Sequence, residues 1–520
     1  MTQFTKKLIF VFVFILFPIG LAFDVNLTKP LTDGFHEGEY IGNLHAIRSY
    51  YSGISVFPML IHGAMDYLPS ILASVIASDS HLLIWTRFLN ILAVALCWVL
   101  YIDLSRIMLR EQSEKIVWGL LFYVLFLWMA IATGDDPLKK QQAFLGTRDL
   151  FLLLSLWVGA RALYCRSVSS AYFHMIASGA FAAMSFYWSY DRGILSAIWV
   201  IIYAVTLLFQ RNGASAFAIA LGYIATLVIV SQSTIFGSLL DNYHNIVYWL
   251  KNTQDVWFLA FKYKLPALPG ALAMLIFSLV VIFHAIIKST HQGKQRLLPI
   301  ALGLIFIQLV FLTKMYSLPG FPTSYYFVWP SFFLLILMPP KSDMVRGVNE
   351  HLAQLFSYVN RTYAVLSRSD KRIIWGVELL LIIIFSNSIV SDLNKARQLV
   401  HPLPDQVLID GKHYGIDAAN RYNFDCVFLW SNEGVFSLLL KKTYCTKYTY
   451  AVYISKNDEA SVLNELRNNP PGLIVYDSPF WSMNIYGRHM RDRLPAINRF
   501  IQENYIFHDS GNGYVFATPK

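Results

Sequence analysis

Charge is scarce in this 520-residue chain: Asp, Glu, Lys and Arg together make up 14% of it, against about 25% in ordinary soluble domains. No glycine-rich loop of the nucleotide-binding kind occurs, which argues against an NTP- or dinucleotide-driven enzyme. No internal repeat or low-complexity linker divides the chain, and no basic helix or aromatic-basic repeat points to nucleic acid. Cysteine is held to four residues, too few for a disulfide-built scaffold.

Apolar residues fill the space that charge leaves. They make up 56% of the chain, and the mean hydropathy is +0.47. They gather in runs of roughly 15–22 residues, enough at about 1.5 Å per residue to cross most or all of a ~30 Å hydrocarbon layer. Such runs lie near 8–23, 82–102, 116–132, 150–164, 171–189, 194–209, 214–230, 268–287, 297–313, 324–338 and 373–389. The expected fold is therefore a polytopic α-helical membrane protein with about eleven transmembrane helices. Lys6 and Lys7 precede the first run, and no small-x-small cleavage site follows Leu21-Ala22-Phe23, so this run reads as a retained helix.

Lys and Arg set the orientation. With the N-terminus in the cytoplasm, the inner loops hold Lys6, Lys7, Arg106, Arg110, Lys115, Arg161, Arg166, Arg211, Lys288, Lys294 and Arg296. The inner stretch 341–372 adds six more, and the density of basic residues is about threefold that of the opposite loops. Eleven crossings then place the tail from 391 to 520 outside, in the periplasm if the membrane is a bacterial inner membrane. The chain thus divides into a membrane domain, 1–390, with a long first outer loop, 24–81, and an extracytoplasmic domain, 391–520.

In that tail, Val427–Trp430, Tyr450–Ile454, Leu473–Tyr476 and Tyr514–Phe516 read as strands, and Glu433–Lys442, Asp458–Asn468 and Leu494–Asn504 as helices. Alternation of this kind predicts a small α/β domain. Cys97 and Cys165 fall in or near spans on the inner side. Cys426 and Cys445 lie in the outer domain, where oxidising conditions permit a disulfide; two separate buried thiols are the alternative. In the outer loop 231–267, Ile235, Leu239, Tyr243, Ile246 and Leu250 recur at helical spacing beside Asp241, His244 and Lys251, the pattern of a helix lying in the membrane interface.

Chemistry-bearing residues cluster at outer ends of the spans. Asp33, His36, Glu37 and Glu39 stand just beyond the first run, Asp135, Asp136, Arg148 and Asp149 before the fourth, and Asp191 and Arg192 between the fifth and sixth. Charges at the edge of hydrocarbon pair with one another or line a wet cavity. Carboxylates and guanidiniums gathered on one side suit a substrate that is part lipid and part anion. The plainer readings are a topology anchor for Arg192, a structural ion pair for Arg148 and Asp149, and a satisfied loop residue for His62.

The order of short motifs resembles that of the lipid-dependent glycosyltransferases of the GT-C superfamily, on the branch of protein O-mannosyltransferases and lipid A aminoarabinose transferases. Those enzymes carry Asp-Glu-x-x-Tyr after the first helix, a short helix ending in Ser-Gly or Thr-Gly, a Pro, and a Lys-Pro-Pro-Leu element. Here His36-Glu37-Gly38-Glu39-Tyr40, Ser52-Gly53, Pro58 and Leu68-Pro69-Ser70-Ile71 follow in that order. Arg148-Asp149-Leu150-Phe151-Leu152, Asp191-Arg192-Gly193 and Tyr325-Tyr326-Phe327-Val328-Trp329-Pro330 resemble later elements, and Asn469-Pro470-Pro471-Gly472 resembles part of the C-terminal domain. Two departures stand out: His36 replaces the family's first-loop Asp, and the Lys-Pro-Pro lysine is absent near Tyr67 and Leu68.

The resemblance implies a GT-C-like glycosyltransferase that moves a sugar from a polyprenyl-phosphate donor to a hydroxyl of a glycan, lipid or protein acceptor, with inversion, at the outer face of the membrane. A phosphate leaves as an anion, so one carboxylate suffices where glycoside hydrolysis uses two. Asp33 or Glu37 is the expected base, with Glu39 the third candidate. Arg192 and then Arg148 hold the phosphate, His36 and His62 add donors, and Asp149, Asp191, Tyr325 and Tyr326 line the substrate site. Some members of the superfamily use a divalent cation, for which Asp33, Glu37 and Asp149 are the expected ligands; no other cofactor is implied. The competing readings are a lipid-linked-sugar flippase or transporter, which predicts charged sites near the midplane and repeated halves, and an O-antigen polymerase or ligase, which a large terminal α/β domain argues against.

Overall fold

The computed structural model describes residues 27, 31, 36–53, 56–108, 147–257, 298–317, 401–402, 404–411, 413–479 and 489–520. The expected spans near 8–23, 116–132, 268–287, 324–338 and 373–389, the inner stretch 341–372 and the 390/391 boundary lie outside these residues, as do Asp33, Asp135, Asp136, Tyr325 and Tyr326.

The other six apolar runs are helices. After α1 (His36–Tyr51) and α2 (Leu68–Ile76) of the first loop come α3 (Leu82–Met108), α4 (Leu150–Ala162), α5 (Val168–Trp188), α6 (Tyr190–Phe209) and α7 (Gly213–Ser231). These are followed by α8 (Leu239–Trp257) and α9 (Leu298–Ser317). Caps mark two of the starts: Ser167 Oγ accepts from the Ser170 amide at the head of α5, and Asn212 Oδ1 accepts from the Ser215 amide at the head of α7.

Apolar side chains fill the bundle and also cover its outside. Phe173, Ile201, Phe209, Phe217, Ile224 and Ile229 are exposed, while Ser155, Ser178, Ser185 and Ser196 are buried between helices. Ser155 and Ser178 exchange hydroxyl-to-carbonyl bonds of 2.8 Å between α4 and α5. Trp199 of α6 donates to Ser155 Oγ at 3.0 Å, and Tyr203 donates to the Gly159 carbonyl at 2.8 Å. Apolar surface outside and hydrogen bonds inside are what a lipid solvent requires. The helices α6 and α7 are each long and apolar enough to cross a membrane. Where α5 crosses α7, a Cβ on Gly179 would lie 2.0 Å from the Ile219 carbonyl oxygen, and one on Gly222 would lie 2.0 Å from that of Ile176.

The C-terminal part carries a five-stranded sheet of order β2-β1-β3-β5-β4, with β1 Cys426–Leu429, β2 Thr443–Tyr444, β3 Leu473–Asp477, β4 Tyr505–Asp509 and β5 Val515–Pro519. The strand β1 runs parallel to β2 and β3, and β5 pairs antiparallel to β3 and β4. The helices α10 (Val435–Leu440), α11 (Glu459–Asn468) and α12 (Pro495–Asn504) fall close to the expected segments.

Tyr450–Ile454 is not a strand. Ala451–Tyr453 form a 3-10 turn, and the carbonyls of Val452 and Ile454 accept from the buried Arg493 guanidinium instead of from a sheet neighbour. The side chains also differ from those of a strand face, because Tyr450 and Tyr453 are directed into the first loop.

The sheet and the first loop share one hydrophobic core, in which Leu31, Ile41, Leu44 and Met59 pack with Val427, Phe428, Val435 and Ile474. Backbone contacts seal the junction. Leu31 N donates to the Leu408 carbonyl at 2.8 Å, and Met59 N to that of Lys447 at 2.7 Å. Asp405 accepts from the Leu82 and Leu83 amides at 3.0 Å each, capping α3 from the far end of the chain. Gly38 and Gly42, one turn apart on α1, meet the start of α10 backbone to backbone: a Cβ there would lie 2.5 Å from Val435 N and 2.3 Å from the Gly434 oxygen.

Cys426 and Cys445 form a disulfide, with a sequence separation of 19. It joins β1 to the residue after β2. Intact mass after alkylation, with and without reduction, is expected to show the bond. Replacing both cysteines by alanine should lower stability by about 3 kcal/mol, the value for closing a loop of about 20 residues. Two alkylated thiols in the unreduced protein would contradict the pairing.

Candidate active site

Four segments converge at one end of the bundle: α1, the turn containing His62 to Asp66, the 3-10 turn Thr147–Asp149, and the corner between α5 and α6. The corner is made by Ser189, in extended conformation between two helices. Gly63, at φ +114°, lies so near this corner that a Cβ would sit 2.7 Å from the Tyr187 oxygen. A side chain at that position is therefore excluded twice, by conformation and by space. Tyr190 N donates to the His62 carbonyl at 2.7 Å, and Trp188 Nε1 donates to the Thr147 carbonyl at 2.6 Å.

These contacts gather charge in a buried place. The Arg192 side chain is fully buried; its Nε donates to Asp149 Oδ1, and its Nη1 donates to Asp191 Oδ2 at 2.7 Å. Asp191 Oδ2 also faces Arg148 Nη1 at 3.6 Å, so the four residues form a chain Asp149–Arg192–Asp191–Arg148. Ser189 Oγ donates to the remaining Asp191 oxygen at 2.7 Å.

His62 and Asp66 stand beside this chain. Asp66 accepts from the His62 amide at 2.8 Å and from His62 Nδ1 at 2.7 Å. Burial pushes the His62 imidazole below its ordinary value, and the field of Arg148 adds to this, against the opposing pull of Asp66 and Asp191. Glu39, on the buried face of α1, accepts from the Tyr453 hydroxyl at 2.5 Å. Glu39, His62 and Asp66 each offer a ligand atom, all within 4.8 Å of one another, making them the group among the described residues that could hold a metal ion.

Glu37 has a different place from the one expected of a base. Its two oxygens accept from Arg87 Nε and Nη2 at 2.8 Å each, and Arg87 Nη1 reaches the Leu27 carbonyl at 2.9 Å. This buried bidentate pair ties the first loop to α3. Glu37 and Asp149, read as metal ligands with Asp33, are each bonded to an arginine. His36 begins α1, and its side chain lies outside the described residues, as do Asp33, Tyr325 and Tyr326.

The structure thus brings Glu39, His62, Arg148, Asp149, Asp191 and Arg192 into one neighbourhood. Sequence reasoning missed Asp66, Arg87 and Tyr453. The available signals were the His-x-x-x-Asp spacing for Asp66 and a single arginine inside an apolar run for Arg87; nothing local marks Tyr453.

The chain is similar in structure to the Archaeoglobus fulgidus oligosaccharyltransferase in its apo form, at TM-score 0.50 and 11% identity over 97% of this chain and 74% of that one. It is also similar to Cupriavidus metallidurans ArnT, a lipid A aminoarabinose transferase. In the apo state the TM-score is 0.45 with 13% identity over 99% and 98% of the two chains. Bound to undecaprenyl phosphate it is 0.47 with 13% identity over 98% and 97%. Both neighbours are GT-C superfamily members. No family model and no curated protein matches the sequence.

His62 has a testable pH signature. Its unfolded-state imidazole gains a proton near pH 6.5, while the buried one resists until lower pH. The stability it supports is complete above pH 6.5 and is lost as pH falls through the depressed folded value. Thermal melts between pH 7 and pH 5 should show a shallower acid-side loss for His62→Gln than for the wild type. Equal slopes would remove His62 as the source.

Proposed function

We propose that the chain is a membrane glycosyltransferase, transferring a sugar with inversion from a polyprenyl-phosphate donor to an acceptor hydroxyl of a glycan, lipid or protein. The reaction is placed at the outer face of a bacterial inner membrane, with the N-terminus cytoplasmic and residues 391–520 periplasmic. The observation that carries the reading is the buried group of arginines and carboxylates at the end of the bundle, joined to the GT-C-type fold and to the order of sequence motifs.

Within this reading the roles of the two arginines are reversed from the expected order. Arg192 is clasped by two carboxylates and acts as a positioning residue. Arg148 is the more open guanidinium, and its contact with Asp191 is long at 3.6 Å, so it is the group assigned to the donor phosphate. A guanidinium matches two phosphate oxygens at once, which stabilises the leaving anion without a proton transfer. Glu37 is engaged by Arg87 and Glu39 by Tyr453, so the base is assigned to Asp33. It would take the acceptor's hydroxyl proton as the oxygen attacks the anomeric carbon and the carbon–phosphate-oxygen bond breaks.

The test has a binding arm and a transfer arm. In detergent, Arg148→Ala should weaken binding of a polyprenyl phosphate by about 10–100-fold, corresponding to the ~1.5–3 kcal/mol of a hydrogen bond to a charged group. Arg148→Lys should recover only part of it, because an ammonium lacks the planar fork. Asp33→Asn should leave that binding intact and lower transfer by about 10²–10⁴-fold. The donor and acceptor for the transfer arm come from mass spectrometry of envelope glycans in cells with and without the gene. Near-normal turnover by Asp33→Asn would sink the assignment of the base, and unchanged glycans would sink the reading itself.

A further inference from the structure

We infer that α6 and α9 hold an acyl chain of an anionic phospholipid in the groove between them, with Arg211 meeting the lipid phosphate. The site lies at the end of α6 opposite the arginine–carboxylate group, and it does not rest on the proposed transfer reaction.

The first support is shape. The two helices meet at Gly303, where a Cβ would lie 2.3 Å from Trp199 Cε3, so the ring of α6 takes the place of a side chain on α9. Between the last turns of α6 and the first turn of α9 they leave a groove of about 540 Å³. Ile201, Val205 and Phe209 line it from one side, and Leu298 and Leu302 from the other. That volume lies within the ~300–1,000 Å³ of pockets that hold a ligand. From Ile201 to Gln210 the groove follows nine residues of helix, or ~14 Å at the usual rise. This is about half of a ~30 Å hydrocarbon layer, the depth of one leaflet.

The lining has the division of an amphiphile. Its polar members are Thr206 and Gln210. The Thr206 hydroxyl is spent on the Ile202 carbonyl, to which it donates at 2.7 Å, and Gln210 caps the end of α6. The rest is aliphatic or aromatic, and much of it is uncovered by protein: Phe209 is 86% exposed and Ile201 61%. In hydrocarbon such a surface is covered by lipid chains, and a groove left unfilled would forfeit dispersion contacts along both walls.

Charge selects the head group. Arg211 follows Gln210 directly, is exposed, and ends the helix with a left-handed backbone at φ 58°. No Asp or Glu occurs at 193–240 or at 256–342, so the sequence stretches that supply both walls contain no carboxylate to neutralise it. A guanidinium matches two oxygens of a lipid phosphate, and basic sites between membrane helices take anionic head groups. A zwitterionic lipid offers the same chains, but its amine offsets its phosphate. On the proposed orientation, the bound lipid belongs to the inner leaflet and wedges α6 against α9.

The experiment uses the full-length chain, delipidated in detergent, with dioleoyl phosphatidylglycerol and dioleoyl phosphatidylethanolamine as probes. Native mass spectrometry should find a single equivalent of phosphatidylglycerol held more tightly than phosphatidylethanolamine, and its addition should raise the melting temperature. Arg211→Gln should cut that preference about fivefold, the equivalent of ~1 kcal/mol for one basic residue near an anionic lipid. Val205→Phe, which puts a ring into the groove from a half-exposed position, should remove the bound equivalent. Ile224→Phe, on the exposed face of α7, should keep it. Equal retention of the two lipids by the wild-type chain overturns the proposal, because it leaves ordinary lipid contact only. Retention by Val205→Phe equal to that of the wild type overturns the placement. Displacement of phosphatidylglycerol by equimolar polyprenyl phosphate overturns the choice of occupant and gives the groove to the donor's lipid. No readout requires glycosyl transfer, so this result and the fate of the transferase reading are separable.

Discussion

Arg192 is the constraint around which one end of the bundle is arranged. A guanidinium with no solvent contact cannot be neutralised by losing a proton, so it must be paired in place. Asp191 supplies one partner from the same turn, but Asp149 has to be brought from the start of another helix, 43 residues away. That requirement fixes the Thr147–Asp149 turn against the α5–α6 corner, where Trp188 clasps the Thr147 carbonyl. The corner in turn leaves space for a residue without a side chain, which is Gly63, and Gly63 delivers His62 and Asp66 beside the arginines. One buried cation thus determines the position of three loops.

A second seam joins this group to the rest of the chain. Gly38 and Gly42 let α1 approach α10 until backbones touch, and the shared core of the first loop and the sheet follows from that closeness. Tyr453 crosses the same seam to reach Glu39, while Tyr248 donates to the Tyr453 carbonyl from α8 at 2.5 Å. The helix α8 has its own division of faces. Asn242, Asn245 and Ile246 are buried against the loop, and Leu239, Leu240, Tyr243 and Leu250 are exposed, the side that a membrane interface would meet. The apolar residues that the sequence suggested as one stripe are therefore split, with Ile246 turned inward because Tyr190 engages the asparagines beside it.

The parts legible in the sequence are those that local composition determines. Long apolar runs became α3 to α7 and α9, because a run with almost no charge has few alternatives to a helix in hydrocarbon. Leu473–Asp477 was readable as a strand from its β-branched core, whereas Thr443–Tyr444 is too short to have a pattern, and Tyr505–Asp509 is visible only as the partner of β5. Tyr450–Ile454 has strand composition, yet its carbonyls are taken by Arg493, about 40 residues later, an event that no local window contains. The site followed the same rule. That charges would gather at the ends of the helices was readable from their cost in lipid. Which carboxylate meets which arginine was not, since Glu37 and Arg87 are 50 residues apart.

The pairing pattern also ranks what an incoming anion can engage. Both arginines share Asp191 Oδ2, so a phosphate arriving at either must compete with that carboxylate instead of filling an empty place. At Arg192 it would have to displace two close contacts inside a fully buried pocket, and the stranded Asp149 would then be an uncompensated buried charge, a loss of about 3–5 kcal/mol by analogy with other broken buried pairs. The Arg148 contact with Asp191, at 3.6 Å, is longer than the Arg192 contact with the same oxygen at 2.7 Å. Released from Arg148, Asp191 would stay bonded to Arg192 and Ser189, so no charge is orphaned. On the proposed reading, Arg192 would anchor the carboxylates and Arg148 would meet the donor phosphate, in keeping with the order Asp149–Arg192–Asp191–Arg148.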